Sequence, residues 1–152
     1  MPNAEPLEQR AYRERLWPAP WVFIATALVI PASLLVFLPI SLPVGVGVAV
    51  LLYAAILVVL FMTTATIEVT DDEFRAGRAR MPRSAVGSAR AFEGDEATAE
   101  RGVRLDARAW LLLRGWIPGV VRVEVDDDSD PTPYWLVSSR NPLALAQALG
   151  KS

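Results

Sequence analysis

The longest apolar stretch in the chain lies between Arg15 and Glu68, because no Asp, Glu, Lys or Arg occurs between these two positions. A helix needs roughly 20 apolar residues to cross about 30 Å of hydrocarbon, and the stretch is long enough for two such helices. A proline-containing break near its middle favours a turn, because proline lacks the backbone donor that a helix requires. The pattern therefore predicts an antiparallel transmembrane hairpin at 21–64, with spans at 21–38 and 44–64.

Two details inside the predicted hairpin bear on how its helices pack. Pro31 removes the helical hydrogen bond to the carbonyl of Ala27, which predicts a kink in the first span. Gly45, Gly47 and Ala49 are small enough for close helix contact, but the pattern is short. Lipid-facing positions are therefore the favoured interpretation of these three residues.

Two other interpretations of the apolar stretch are weaker. A pair of buried helices in a soluble protein normally carries a polar stripe, and neither predicted span has one. A cleaved signal peptide would use Arg10, Arg13 and Arg15 as its basic region, but a second apolar length follows the first without a clear small-x-small cleavage site. A membrane hairpin accounts for both halves of the stretch.

Arginine in the short flanks predicts the orientation of the hairpin. Basic residues flank it on both outer sides, whereas the loop around Ile40 has none. Cytoplasmic flanks carry an excess of basic residues, and Trp17 and Trp21 are typical of a membrane interface. The sequence therefore predicts a two-pass protein of the cell membrane, with both termini and the segment 1–20 in the cytoplasm.

Short runs that alternate between apolar and polar residues begin after the hairpin, and they predict a β-rich cytoplasmic domain at 65–152. The run 121–125 is the clearest, since it places three valines on one face and two charges on the other. The polar run 93–106 is predicted as a loop with one helical turn. The predicted strands are 67–69, 74–76, 86–92, 109–113, 121–125 and 134–138.

The segment 141–150 predicts a C-terminal helix, because it carries residues that favour both a helix start and a helix end. Asn141 is a capping residue, Pro142 suits the first helical position, and Gly150 suits the end. Antiparallel strands followed by one helix are typical of a pleckstrin-homology-like sandwich, although a fold does not fix a function. We therefore expect an α+β membrane protein in which a two-helix transmembrane hairpin precedes a small antiparallel β domain closed by one C-terminal helix.

The composition excludes several kinds of chemistry. The chain has no cysteine and no histidine, and its net charge is −2. Disulfides and thiolate metal sites are therefore excluded, and Ser138 and Ser139 have no histidine to activate them. The sequence predicts neither an enzyme nor a bound cofactor or metal.

The acidic run at 126–130 resembles the opening of an EF-hand calcium loop. Pro131 stands where that loop needs glycine, and Val137 stands where it needs a bidentate glutamate. A solvated turn between two strands is therefore the favoured interpretation of the run.

A basic set follows the second span and is a candidate contact for anionic lipid head groups, at about 1 kcal/mol per residue near the surface. Any cytoplasmic flank carries similar residues, so both interpretations stay open. Because the rest of the domain is acidic, nucleic acid is not an expected partner. The basic set consists of Arg75, Arg78, Arg80 and Arg83.

Three motifs resemble those of the actinobacterial membrane family catalogued as domain of unknown function 3093. They are YRERLWP at 12–18, AGRA at 76–79 and DPTPYWLVSSR at 130–140, and the resemblance covers nearly the whole chain. It implies a two-span membrane protein and adds no activity, cofactor or substrate.

The last of these motifs supplies a candidate interaction site at Tyr134 and Trp135. Neighbouring residues on a strand point to opposite faces, so one of the two rings is expected in the core and the other at the surface or the bilayer. A purely structural role at the start of a strand is the favoured alternative.

Two functional hypotheses follow. The leading one is a non-enzymatic, membrane-anchored adaptor whose β domain binds a protein or the inner leaflet, since tethering at the bilayer raises effective concentration. The alternative is an accessory subunit of a transporter or envelope-synthesis complex that packs through its helical hairpin. The lipid bilayer is an expected partner in both.

Overall fold

The computed structural model describes residues 12–150. They divide into two compact units, namely residues 17–64 and the combination of residues 12–16 with 65–150. Arg10 of the predicted basic flank lies outside the described residues. The elements in chain order are β1 (Tyr12–Arg15), α1 (Pro20–Ala27), α2 (Val29–Phe37), α3 (Leu42–Met62), β2 (Thr66–Val69), β3 (Glu73–Ala76), β4 (Ala79–Pro82), β5 (Val86–Phe92), α4 (Gly94–Arg101), β6 (Trp110–Leu112), β7 (Val120–Val125), β8 (Tyr134–Ser138) and α5 (Pro142–Leu149), with a 3₁₀ turn at Arg83–Ala85.

The first apolar segment forms two helices, α1 and α2, that meet at Leu28. Helix α1 ends at Ala27, and the residue four positions further on is Pro31, which has no N–H to donate to the Ala27 carbonyl. The helix is therefore interrupted near the position of the predicted kink, and the missing donor accounts for the interruption.

The second apolar segment is one continuous helix, α3, whose first turns pack closely on α2. Gly45 and Ala49 are buried, and a Cβ added at Gly45 would lie 3.1 Å from the Cβ of Phe37. A Cβ at Gly47 would meet nothing within 4 Å. The prediction that all three small residues face outward is therefore wrong for Gly45 and Ala49, because a spacing of four residues places both on the face that meets α2.

The first sheet of the domain has the order β1-β2-β3-β4 and is antiparallel throughout. Strand β1 precedes the hairpin and β2 follows it, with Tyr12 opposite Val69 and Arg15 opposite Thr66. The Leu16 N–H donates to the Ala65 carbonyl at 2.8 Å. The prediction of 1–20 as a separate N-terminal segment is therefore wrong for residues 12–16, which belong to the domain.

The second sheet has the order β5-β7-β8-β6. Strand β7 is antiparallel to both β5 and β8, but β6 runs parallel to β8. The prediction of an entirely antiparallel domain is therefore wrong at this edge. The connection after β6 carries the chain past β8, so that β7 takes the inner position and β8 returns between β7 and β6.

The inward side chains of both sheets form one core together with α5. Leu145 and Leu149 of α5 are fully buried in it, and the Asn141 side chain accepts a hydrogen bond from the Ala144 N–H at 3.3 Å. The predicted C-terminal helix and its cap are confirmed.

The segment 93–106, predicted as a loop with one helical turn, contains a longer helix of two turns, α4 at Gly94–Arg101. Acidic side chains in its first turn and Arg101 in its last favour the helix dipole. Ala97 of α4 joins Val120, Tyr134 and Leu136 in a second apolar cluster.

Candidate functional site

A polar cluster joins the strand before the hairpin to the end of β8. One carboxylate oxygen of Glu14 accepts from the Tyr12 hydroxyl and the Ser139 hydroxyl, each at 2.6 Å. The other oxygen accepts from the Arg140 N–H at 2.7 Å, and the Arg140 guanidinium donates to the Arg15 carbonyl at 3.2 Å. This Glu14 cluster, defined by Tyr12, Glu14, Ser139 and Arg140, holds β1 against the chain that leads into α5.

The Glu14 cluster was not predicted from the sequence. Its two halves lie 125 residues apart between Glu14 and Ser139, and no local pattern links them. The signal that could have found it is the pairing of two resemblance motifs, since YRER and SSR supply all four side chains.

Tyr12 should titrate late. Burial, followed by the hydrogen bond to Glu14, raises the pKa of Tyr12 from 10.0 to about 12. A raised folded-state pKa means that the neutral phenol stabilises the fold fully below pH 10, and that this contribution is lost as the pH rises towards 12. The ultraviolet titration of tyrosinate, taken as the difference between wild type and Tyr12→Phe, should have its midpoint near 12. A midpoint near 10 would contradict the burial of this hydroxyl.

Tyr134 and Trp135 are both buried, with exposed fractions of 2% and 7%. The prediction that one ring reaches the surface is therefore wrong. Strand β8 lies between β7 and β6, and apolar clusters cover both of its faces. The Trp135 ring centroid lies 4.5 Å from that of Trp110, and the Tyr134 hydroxyl accepts from the Asp106 N–H at 2.8 Å.

A buried carboxylate lies beside Tyr134. Glu100 of α4 is 3% exposed, and its oxygens lie 3.4 Å from guanidinium nitrogens of Arg104 and Arg122. The Arg122 guanidinium carbon lies 3.9 Å from the Tyr134 ring centroid, at the distance of a cation–π contact. A buried charge is tolerated where it is paired, so this arrangement fixes α4 to the second sheet.

The four arginines of the basic set do not form one patch. Arg75 and Arg80 are directly opposite each other on β3 and β4, and Arg75 is also hydrogen-bonded to Glu73. Arg78 lies in the turn between these strands. The Arg83 guanidinium donates to the Ala148 carbonyl at 3.0 Å, at the end of α5.

The acidic run at 126–130 forms a turn, as predicted. One Asp127 oxygen accepts from the Ser129 N–H at 2.9 Å and from its hydroxyl at 2.6 Å, and these bonds lower the pKa of Asp127. Within residues 12–150, no group of three acidic side chains is placed to hold a metal ion.

Most large apolar side chains of the hairpin are exposed. The segments Pro20–Phe37 and Leu42–Met62 are long and apolar enough to cross a membrane, and 11% of an 18-residue stretch of each is buried. Leu35 and Leu51, for example, are 72% and 70% exposed. A soluble helical hairpin of this size would cover one side of each helix.

These features define a class of chain in which an apolar helical hairpin is inserted between the first and second strands of an α+β domain. The family model described as "Protein of unknown function (DUF3093)" matches residues 11–149, so the chain belongs to this family. The resemblance to the family of unknown function 3093 is thereby confirmed. No curated protein and no solved structure matches the chain.

Proposed function

We propose that this chain is a two-pass protein of the cell membrane that holds its β domain at the cytoplasmic face and acts there as a non-enzymatic adaptor. The observation that carries the proposal is the exposure of most apolar side chains of α1, α2 and α3 outside the face where α2 and α3 pack together. Such surface is stable in hydrocarbon and unstable in water, because burying it from water is the main favourable term in folding.

The join between hairpin and domain supports the orientation. Leu16 and Ala65 are hydrogen-bonded neighbours, so the chain enters and leaves the hairpin at adjacent points. Both ends of the hairpin then lie on the same side of the bilayer. The arginines of β1 and of the segment after the hairpin support a cytoplasmic location for that side, because cytoplasmic flanks carry an excess of basic residues.

A pleckstrin-homology-like architecture is part of the proposal. Two four-stranded sheets enclose one core, and a C-terminal helix packs into it. The parallel β6–β8 pair and helix α4 are departures from a simple antiparallel sandwich. A fold of this kind serves many binding functions, so the adaptor role rests on the tether and on the surface.

An adaptor role also fits the engagement of two acidic groups of the domain, one half-buried and one buried. Glu14 receives three hydrogen bonds and Glu100 is paired with two arginines. Both carboxylates therefore act in holding elements of the domain together. A tethered domain needs no strong intrinsic affinity, because the bilayer concentrates it beside its partner.

The second candidate, an accessory subunit that packs through its hairpin, is favoured by one observation. Helix α3 carries an open apolar groove with a volume of about 260 Å³. A spanning helix of another protein would fill such a groove. The groove is lined by Leu52, Ala55, Ile56, Val59 and Leu60.

A hairpin exchange separates the two candidates. Residues 17–64 are replaced by an unrelated antiparallel hairpin with both joins kept, and a second variant carries Arg75→Glu and Arg80→Glu on the outer face of the first sheet. Each variant is crosslinked in native membranes and purified with its crosslinked partner. If the chain is an adaptor, the variant with the exchanged hairpin should still crosslink to the partner, and the charge variant should not. The opposite result would replace the adaptor by the accessory subunit.

The control experiment measures the orientation of the hairpin in the membrane. The natural chain has no cysteine, so Ile40→Cys gives a single labelling position. An impermeant maleimide should label it from outside the cell, and the matching loop position of the exchanged hairpin should behave alike. Labelling from the cytoplasm alone would reject the proposed topology.

A further inference from the structure

The strand register gives the domain two distinct ends. The chain leaves for the hairpin after Leu16 and returns at Ala65, and the Gly77 N–H donates to the Thr66 carbonyl at 2.9 Å. A Cβ at Gly77 would lie 3.7 Å from the Leu112 side chain, so β6 also ends here. Because β8 is parallel to β6, it ends on the same side. We call this end of the domain, where the chain joins the hairpin, the proximal end.

Four separate segments each bring an arginine to the proximal end. Arg140 donates to the Arg15 carbonyl at 3.2 Å, and the Arg114 N–H donates to the Ser138 hydroxyl at 2.9 Å. Arg78 stands next to Gly77 in the β3–β4 turn. The side chains of Arg15, Arg78 and Arg140 are exposed and that of Arg114 is half-buried. We name the four the arginine rim: Arg15, Arg78, Arg114 and Arg140.

Aspartates occupy the opposite end. The turn after β2 and the turn after β7 meet there through the 3₁₀ turn, since the Arg83 N–H donates to the Asp72 carbonyl at 2.9 Å and the Asp126 N–H donates to the Ala85 carbonyl at 2.7 Å. The basic residues at this end are engaged, since the Arg83 guanidinium donates to the Ala148 carbonyl and Arg108, which lies just before β6, is paired with Asp106. The aspartates are Asp71, Asp72, Asp126, Asp127, Asp128 and Asp130.

The net charge of −2 therefore hides a strong separation of charge along the domain. Acidic side chains are also present at the proximal end, where Glu93 and Asp95 follow β5 on the edge of the second sheet opposite β6. The Glu14 carboxylate is already engaged by three donors. The rim arginines cluster away from that edge, around the points where the chain joins the hairpin.

We propose that the arginine rim binds the phosphate groups of anionic lipids in the inner leaflet. This inference rests on the proposed function, which brings the proximal end next to the head groups. Guanidinium groups bind phosphate oxygens in a planar, two-pronged geometry, and anionic leaflets attract basic segments. The aspartates at the far end would be repelled by the same leaflet, so attraction and repulsion favour one orientation of the domain.

The test uses the full chain in vesicles, with Leu143→Cys carrying a polarity-sensitive fluorophore. Leu143 is 61% exposed and lies in the first turn of α5, three residues after Arg140. In vesicles with anionic lipid, the rim should hold the fluorophore among the head groups and protect it from an aqueous quencher. Protection should fall severalfold in zwitterionic vesicles and at high salt, because exposed charges are screened.

Two variants with equal loss of charge sharpen the test. The rim variant carries Gln at Arg15, Arg78, Arg114 and Arg140, and the matched variant carries Gln at Arg13, Arg75, Arg80 and Arg90. Only the rim variant should lose the protection, by roughly five-fold in association for each charge removed. The milder pair Arg15→Gln and Arg78→Gln changes exposed side chains alone and should give about half of the effect on a logarithmic scale.

The possible outcomes distinguish a failure of the proposed membrane location from a failure of the proposed lipid binding by the arginine rim. A chain that fails to float with vesicles of either kind would reject the membrane location itself. A chain that floats but shows equal protection in both kinds of vesicle, or equal loss in the rim and matched variants, would overturn the rim alone. Insensitivity to lipid, combined with capture of an acidic protein by the rim, would likewise overturn lipid as its ligand.

Discussion

Replacing residues 17–64 by a two-residue Asn-Gly turn should leave a folded domain that is soluble without detergent, whereas residues 65–152 alone should not unfold cooperatively. The Leu16 N–H donates to the Ala65 carbonyl at 2.8 Å across an antiparallel pair, and Asn-Gly is the favoured turn for closing such a pair. The apolar surface of the hairpin leaves with the replaced residues. What remains is the complete core of the domain.

The shorter fragment fails because β1 comes from before the hairpin. Without it, the fully buried Leu16 is missing from the core, and β2 becomes an unpaired edge. The buried Ser139 hydroxyl and the Arg140 N–H also lose the Glu14 carboxylate. An unsatisfied buried group costs about 1–3 kcal/mol, and a small domain has about 5–15 kcal/mol of stability in total.

Urea unfolding followed by tryptophan fluorescence measures the difference. The Asn-Gly variant should give one sigmoidal transition and elute as a monomer, and adding Glu14→Ala to it should lower the midpoint. The fragment 65–152 should give a gradual change and aggregate. Equal midpoints for the fragment and the Asn-Gly variant would show that β1 is dispensable.

The sequence predicted best those elements whose pattern is long. A run of 52 residues without Asp, Glu, Lys or Arg predicted two long apolar helices, and the structure has them at Pro20–Phe37 and Leu42–Met62. Strands β5 and β8 were predicted at their observed bounds, Val86–Phe92 and Tyr134–Ser138. Strands β1 and β4 were missed because each has four residues and carries arginines that also suit a cytoplasmic flank.

Features that depend on sheet order were beyond the reach of the sequence. Whether Tyr134 or Trp135 is exposed depends on the neighbours of β8, and alternation along one strand says nothing of them. The Glu14 cluster likewise depends on β1 lying beside the end of β8. A polar motif such as SSR is predicted to lie at the surface from the sequence alone. In the structure its Ser139 hydroxyl donates to the carboxylate of the distant Glu14.

Gly119→Ala should lower the free energy of unfolding of the domain by about 2–3 kcal/mol, whereas Gly115→Ala in the same connection should not lower it. A Cβ at Gly119 would lie 2.6 Å from the Ser139 carbonyl oxygen and 2.9 Å from Cγ of Pro142. A Cβ at Gly115 would meet nothing within 4 Å. Neither glycine has a positive φ, so backbone strain does not distinguish the two substitutions.

The comparison of Gly119→Ala with Gly115→Ala isolates the energetic cost of the steric clash at position 119. Both changes reduce the freedom of the unfolded chain by the same kind of substitution, which by itself stabilises a compatible site by about 0.4–1 kcal/mol. The Ser139 carbonyl cannot rotate away, because the Arg140 N–H of the same planar peptide group donates to the Glu14 carboxylate at 2.7 Å. Relief therefore has to displace Pro142 and with it the start of α5. Urea midpoints of the Asn-Gly variant carrying each change provide the measurement, and equal midpoints would mean that β7 and α5 can separate here without loss of packing.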